Sequence, residues 1–71
     1  MARRYYVVFE EDNGWTVMLE QGRNLKTFGS DRSGAIEYAK KLGRRNKRPV
    51  MVNYKDGRTG AAYHSVKELT S

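Results

Sequence analysis

Two Asx-Gly dipeptides, Asn13-Gly14 and Asp56-Gly57, each sit between short alternating apolar runs, and a single helical stretch separates them. Such a pair tolerates the positive φ of a tight reversal, so each marks a β-hairpin. Arg4 to Glu10 is rich in β-branched and aromatic residues and reads as a strand. Trp15 to Glu20 alternates, with Trp15, Val17 and Leu19 on one face and Thr16, Met18 and Glu20 on the other. It is expected to pair antiparallel with the first strand. Gln21-Gly22-Arg23-Asn24 is a further turn signal, and Leu25 to Phe28 is a candidate short third strand. Val50 to Tyr54 and Ala61 to Val66 flank Lys55-Asp56-Gly57-Arg58 as the second hairpin.

The stretch between the hairpins has the helical period. Ser30 or Asp31 can accept a hydrogen bond from a first-turn amide, and a negative Asp31 suits the positive end of the helix dipole. Ala35, Ile36, Ala39 and Leu42 form one apolar stripe, with Glu37, Lys40, Lys41 and Arg44 assigned to the opposite side. Gly43 is placed to end the helix, leaving Arg44 to Pro49 as a charged loop. The order β-β-(β)-α-β-β predicts an α+β fold: a small antiparallel sheet of four to five strands with one helix packed on one face. The stripe is expected to meet Trp15, Val17, Phe28, Val50 and Val52. The second sheet face is then solvated, dimeric or a binding surface.

With 71 residues the chain is read as one domain, 1–71, with 1–3 and 67–71 as flexible tails. A domain of this size buries only roughly 60% of its unfolded surface, so its core is thin. The absence of cysteine excludes a disulfide framework and a thiolate zinc site, and fits a reducing interior. No apolar run reaches the ~20 residues that span a bilayer. Met1-Ala2-Arg3-Arg4 leads into alternating aromatics rather than a plain apolar segment, so it reads as a natural start and the protein as cytoplasmic.

Catalytic constellations are sparse. There is one histidine, His64, on a short strand, and no glycine-rich loop leads from a strand into a helix. Glu10-Glu11-Asp12-Asn13 lacks the order of a calcium loop and reads as a solvated hairpin tip. The expectation is a binding protein, not an enzyme, with no cofactor, no metal and no small-molecule substrate.

Charge is the informative property. Fourteen basic and eight acidic side chains give a net charge of +6. Lys40 to Arg48 alone holds six cations and no anion, which equals that excess. Localised charge of this kind makes a patch suited to polyanions. Lys40, Lys41, Arg44, Arg45, Lys47 and Arg48 would contact phosphates, with Arg3 and Arg4 as an arm. The plainer reading is a solvated helix end, where cations suit the dipole. That accounts for Lys40, Lys41 and Arg44, but not for Arg45, Lys47 and Arg48 beyond the expected helix end.

The function expected is a weakly sequence-specific nucleic-acid-binding accessory or regulatory protein, preferring DNA to RNA. The alternative is a protein-interaction module or phage-type regulator. It would use the open sheet face to form a homodimer or to dock on an acidic protein partner. The aromatics Tyr5, Tyr6, Phe9, Trp15, Phe28, Tyr38, Tyr54 and Tyr63 could stack bases if they lie on that face, or else form the core.

Tyr-Tyr-Val-Val at 5–8, Asn13-Gly14-Trp15-Thr16-Val17, Phe28, Ser30-Asp31, Ala35-Ile36 and Asp56-Gly57-Arg58 together resemble a family of short bacterial and phage domains, domain of unknown function 2188. The resemblance runs from about Arg4 to about Tyr63, and Gly-Trp-x-Val and the helical Ala-Ile are its most specific elements. It implies a small ββαββ-type domain and brings no activity, cofactor or catalytic residue. Phe9 departs from the pattern, since many members have proline near there, and the Arg44 to Arg48 cluster is denser than usual.

Overall fold

A computed structural model describes residues 3–64. The expected tail 67–71, the end of the last expected strand at Ser65-Val66, and Met1-Ala2 lie outside the described residues. The elements are β1 (Tyr5–Glu10), β2 (Gly14–Leu19), β3 (Asn24–Thr27), α1 (Arg32–Asn46), β4 (Val50–Asn53) and β5 (Thr59–Tyr63). They form an α+β fold in which one helix covers one face of a five-stranded sheet ordered β3-β2-β1-β4-β5.

The sheet is mixed where antiparallel pairing throughout was expected. β1 pairs antiparallel with β2 but parallel with β4, with Tyr5 opposite Val50 and Val7 opposite Val52. The reason is topological. The helix carries the chain back along the sheet, so β4 enters at the end where β1 enters. A parallel neighbour needs such a crossover. Both hairpins then fold outward, leaving β3 and β5 as edges.

Register decides which side chains meet the helix. Tyr5, Val7 and Phe9 on β1 align with Leu19, Val17 and Trp15 on β2, and Val50 and Val52 continue the row. Val7, Val17, Val50, Ala35 and Ala39 are fully buried there. Phe28, Ile36 and Leu42 pack at the margin of this core. The opposite face carries Tyr6, Val8, Met18, Met51 and Ala62, all half-buried. Thr16 is buried on that face because its hydroxyl, with the amides of Asn13 and Asn24, donates to the Glu10 carboxylate.

Glycine is required at the first hairpin. Gly14 pairs with Glu10 across the three-residue loop Glu11 to Asn13, and only Gly14 of the Asn-Gly pair has positive φ, +74°. A Cβ on Gly14 would run into the backbone of Gly29, whose carbonyl accepts a hydrogen bond from Trp15 N–H at 2.7 Å. This contact ties the hairpin to the segment that launches the helix.

Asp31 caps the helix as expected, its carboxylate accepting from Gly34 N–H at 2.9 Å. The far end differs. Gly43 is buried within the helix, which continues to Asn46. The left-handed turn falls on Lys47, at φ 55°, and Gly43 C=O accepts from the N–H groups of Lys47 and Arg48. Pro49 follows, and its carbonyl accepts from Tyr5 N–H, fixing the helix end to β1. Arg44 and Arg45 therefore belong to the last helical turn, so only Lys47 and Arg48 of the cluster lie past it.

Candidate functional site

The helix runs opposite to β1, so its C-terminus lies beside the start of β1 and the β2–β3 turn. Cations gather at this end of the sheet. Asn46 donates to the Tyr5 hydroxyl at 2.7 Å, and the Arg48 guanidinium lies 6.0 Å from the Tyr5 ring. Arg48 also donates to the Arg3 carbonyl at 3.2 Å, joining the helix end to the N-terminal arm. Across β1, Glu20 N–H donates to Arg4 C=O, which brings in the β2–β3 turn and Arg23. Arg3 and Arg23 line one shallow depression with Leu19, Gly22 and Leu25. Arg45, exposed, follows Tyr38 by two helical turns, on the flank where Tyr38 packs against Phe28. That flank faces β3. Lys47 is exposed at the helix cap.

The expected phosphate-binding residues thus divide. Arg3, Arg45, Lys47 and Arg48 share this end, with Arg44 half-buried in the same helical turn. Lys41 is exposed one turn back from Arg45 on the outer helix face, where Glu37 precedes it by one turn. Arg4 sits apart. Its guanidinium pKa is raised above the ordinary value, first by a hydrogen bond to Tyr6 and further by the nearby Glu20 carboxylate. That places it on the open-face side, next to Glu20.

Lys40 corrects the expectation. It was assigned to the solvent side, but it is 7% exposed, with its ammonium 4.9 Å from the centre of the Tyr63 ring. β5 reaches under this flank of the helix, and a lysine can bury its stem and set its charge on an aromatic face. Lys40 packs against β5 rather than standing in solvent with the other helix-end cations. Arg23, not among the residues expected from the sequence, lies at this end with them. The sequence offered only one signal for Arg23, its position in a turn next to a strand of the sheet.

The opposite end of the sheet also carries cations, in another state. Arg32 lies 5.1 Å from the Trp15 ring and 5.8 Å from that of Tyr54, and donates to Asn53 C=O. Lys55 lies over Phe9 at 4.5 Å, and Lys26 lies between Phe28 and Tyr38. Arg58 lies 5.5 Å from the centre of the Tyr54 ring and pairs with Asp56 at 2.7 Å. These charges are engaged by aromatic faces or acids. The aromatics are engaged in turn: Tyr5 and Trp15 are buried, and Phe9, Phe28, Tyr38 and Tyr63 pack against the core. Only Tyr6 stands on the open sheet face among the described rings, and Tyr54, 48% exposed, is covered by two guanidinium groups. A base-stacking platform is not assembled.

Among the described residues no group of three or more His, Cys, Asp or Glu side chains is placed to hold a metal ion. Among the described residues no helix is long and apolar enough to cross a membrane.

Fold and charge together define a small basic α+β domain with one cationic end. The chain belongs to the family described as uncharacterized protein conserved in bacteria (DUF2188), whose model matches residues 5–63. The match includes Arg23 and the helix-end cations and stops short of Arg3 and Arg4. No curated protein and no solved structure matches the chain.

Proposed function

We propose that the protein binds nucleic acid, DNA in preference to RNA, through phosphate contacts made by the cationic end of the sheet. The observation that carries this reading is the gathering of Arg3, Arg23, Arg45, Lys47 and Arg48 at one end, where Glu20 is a neighbouring acid among the described residues. Helix carbonyls repel an anion there, so binding rests on the side chains. Contacts to phosphates fix position without reading bases, so sequence preference is weak. With about five such contacts, log K falls against log salt with a slope near −4.5. Fluorescence anisotropy of a labelled duplex over a range of salt concentrations measures that slope. Absence of binding at low salt removes the reading.

A second reading draws on the other sheet face. Tyr6, Val8, Met18, Met51 and Ala62 form a half-buried apolar surface that no helix covers among the described residues. An accessory or regulatory protein could use it for a protein contact, including a second copy of this chain. Such association tolerates salt, because apolar burial carries it. Sedimentation at low and high salt distinguishes it from charge-driven binding.

A further inference from the structure

The depression at the cationic end has a composition that phosphate contacts alone do not explain. Its volume is about 290 Å³, and it is lined by Arg3, Leu19, Gly22, Arg23 and Leu25. Two arginines and two leucines share it. Drug-sized pockets begin near ~300 Å³, so this one suits a fragment such as a single base.

Local structure keeps it open. The β2–β3 register shifts between Val17 and Met18: Val17 faces Lys26, and Met18 faces Asn24. Leu25 is therefore the extra residue of a β-bulge, a device that re-aims a side chain. It is 37% exposed, one of only two large apolar residues exposed to that degree among the described residues. Leu19, opposite Tyr5 in the register, belongs to the helix side of the sheet, where Arg45 and the helix end lie. Gly22 contributes no side chain to fill the space.

We propose that this depression seats one unpaired nucleotide of a bound DNA, with its base against Leu19 and Leu25 and its phosphate between Arg3 and Arg23. This rests on the nucleic-acid reading above and names the part of the ligand that the site selects. A base presents a flat face on which a guanidinium plane can stack, and aliphatic side chains can cover it because burying apolar surface is favourable. A phosphate takes paired guanidinium donors. A fully paired duplex offers no free base, so it would use the cationic end and leave the depression empty. The structure selected is then a duplex end with a single-stranded overhang, or a gap.

The test compares a labelled blunt duplex with the same duplex carrying a short overhang, by anisotropy at one salt concentration. The overhang should bind about tenfold tighter, the effect of removing roughly 55 Å² of apolar surface from water. Leu25→Ser on the exposed edge strand should bring that ratio close to one while blunt-duplex affinity stays unchanged. Arg23→Gln should lower both affinities and the overhang more. Equal binding of the two wild-type complexes overturns the nucleotide site alone, as does a preference that survives Leu25→Ser. Failure to bind either DNA overturns this proposal and the nucleic-acid reading together.

Discussion

The two ends of the sheet hold cations of the same kinds in opposite circumstances. At the hairpin-tip end, Arg32, Lys55 and Arg58 lie over Trp15, Phe9 and Tyr54, with Asp56 paired to Arg58. At the helix C-terminal end, Arg3, Arg45 and Lys47 are exposed, and Arg48 touches one ring at the long distance of 6.0 Å. A cation settled on a ring contributes to the frame and has little left for a ligand. A solvated cation contributes little to the frame and releases a counterion when a phosphate replaces it. Formal charge therefore misleads as a guide to binding. What matters is how many charges the fold leaves in water on one surface.

The sharpest contrast is in stability. At the hairpin-tip end, Gly14→Ala forces a left-handed residue and a collision with the Gly29 backbone. The cost should be on the order of 4 kcal/mol, much of the stability of a domain this small. Urea denaturation measures it, and a loss under about 1 kcal/mol would mean that the hairpin is not locked to the helix start. Nothing of this size is expected from any single substitution at the cationic end.

Binding should show the reverse. Replacing Arg3, Arg45 and Lys47 together by glutamine should lower duplex affinity by roughly two orders of magnitude near 0.1 M salt and flatten the salt slope by about 2.7. Stability should stay within about 0.5 kcal/mol of the parent, as for surface changes generally. Replacing Lys26, Lys55 and Arg58 by glutamine removes as much formal charge. It should change affinity less than about threefold and lower stability, since exposed cation–ring contacts contribute about 0.5–1 kcal/mol each. Equal losses of affinity in the two triple variants would erase the distinction between the ends.

Arg32 sharpens it further. Its guanidinium carbon lies 5.1 Å from the Trp15 ring centre and 5.8 Å from that of Tyr54, and its Nη2 donates to Asn53 C=O. Arg32→Ala should cost about 1–2 kcal/mol in thermal or urea unfolding. Arg32→Lys keeps the charge but loses the guanidinium fork that reaches Asn53 C=O, so it should recover only part of that loss. Duplex affinity should be unchanged in both.

The sequence revealed the parts of this picture that depend on local chemistry. Asn13-Gly14 and Asp56-Gly57 marked hairpins because backbone reversal selects those residues, and Asp31 marked the helix start because its carboxylate can satisfy an amide. The parallel β1–β4 pair was not legible, since register between distant strands leaves no local signature. Gly43 misled because burial and a left-handed turn both select glycine, and here burial decided. Lys40 misled for a related reason. It lies at the border of the helical stripe, and only the position of β5 and Tyr63 decides whether that border is wet. Of the candidate site, the helix-end cations could be read directly. Arg23 and the Leu19–Leu25 depression depend on a bulge that the sequence does not announce.

The smallest expected effect tests the comparison at one residue. Lys47 is both the left-handed cap of the helix and an exposed cation of the candidate site. Lys47→Gly removes the steric cost of φ 55°, offset in part by the greater freedom of glycine in the unfolded chain. The net gain should be about 0.5 kcal/mol, or roughly 2–4 °C in melting temperature. The same change deletes one charge, so the salt slope should fall by about 0.9. Stability and affinity should thus move in opposite directions. A cation that supported the frame would lower both when removed, as Arg32 is expected to lower stability at the other end. A fall in melting temperature for Lys47→Gly would place Lys47 among the framework cations and take it out of the interface.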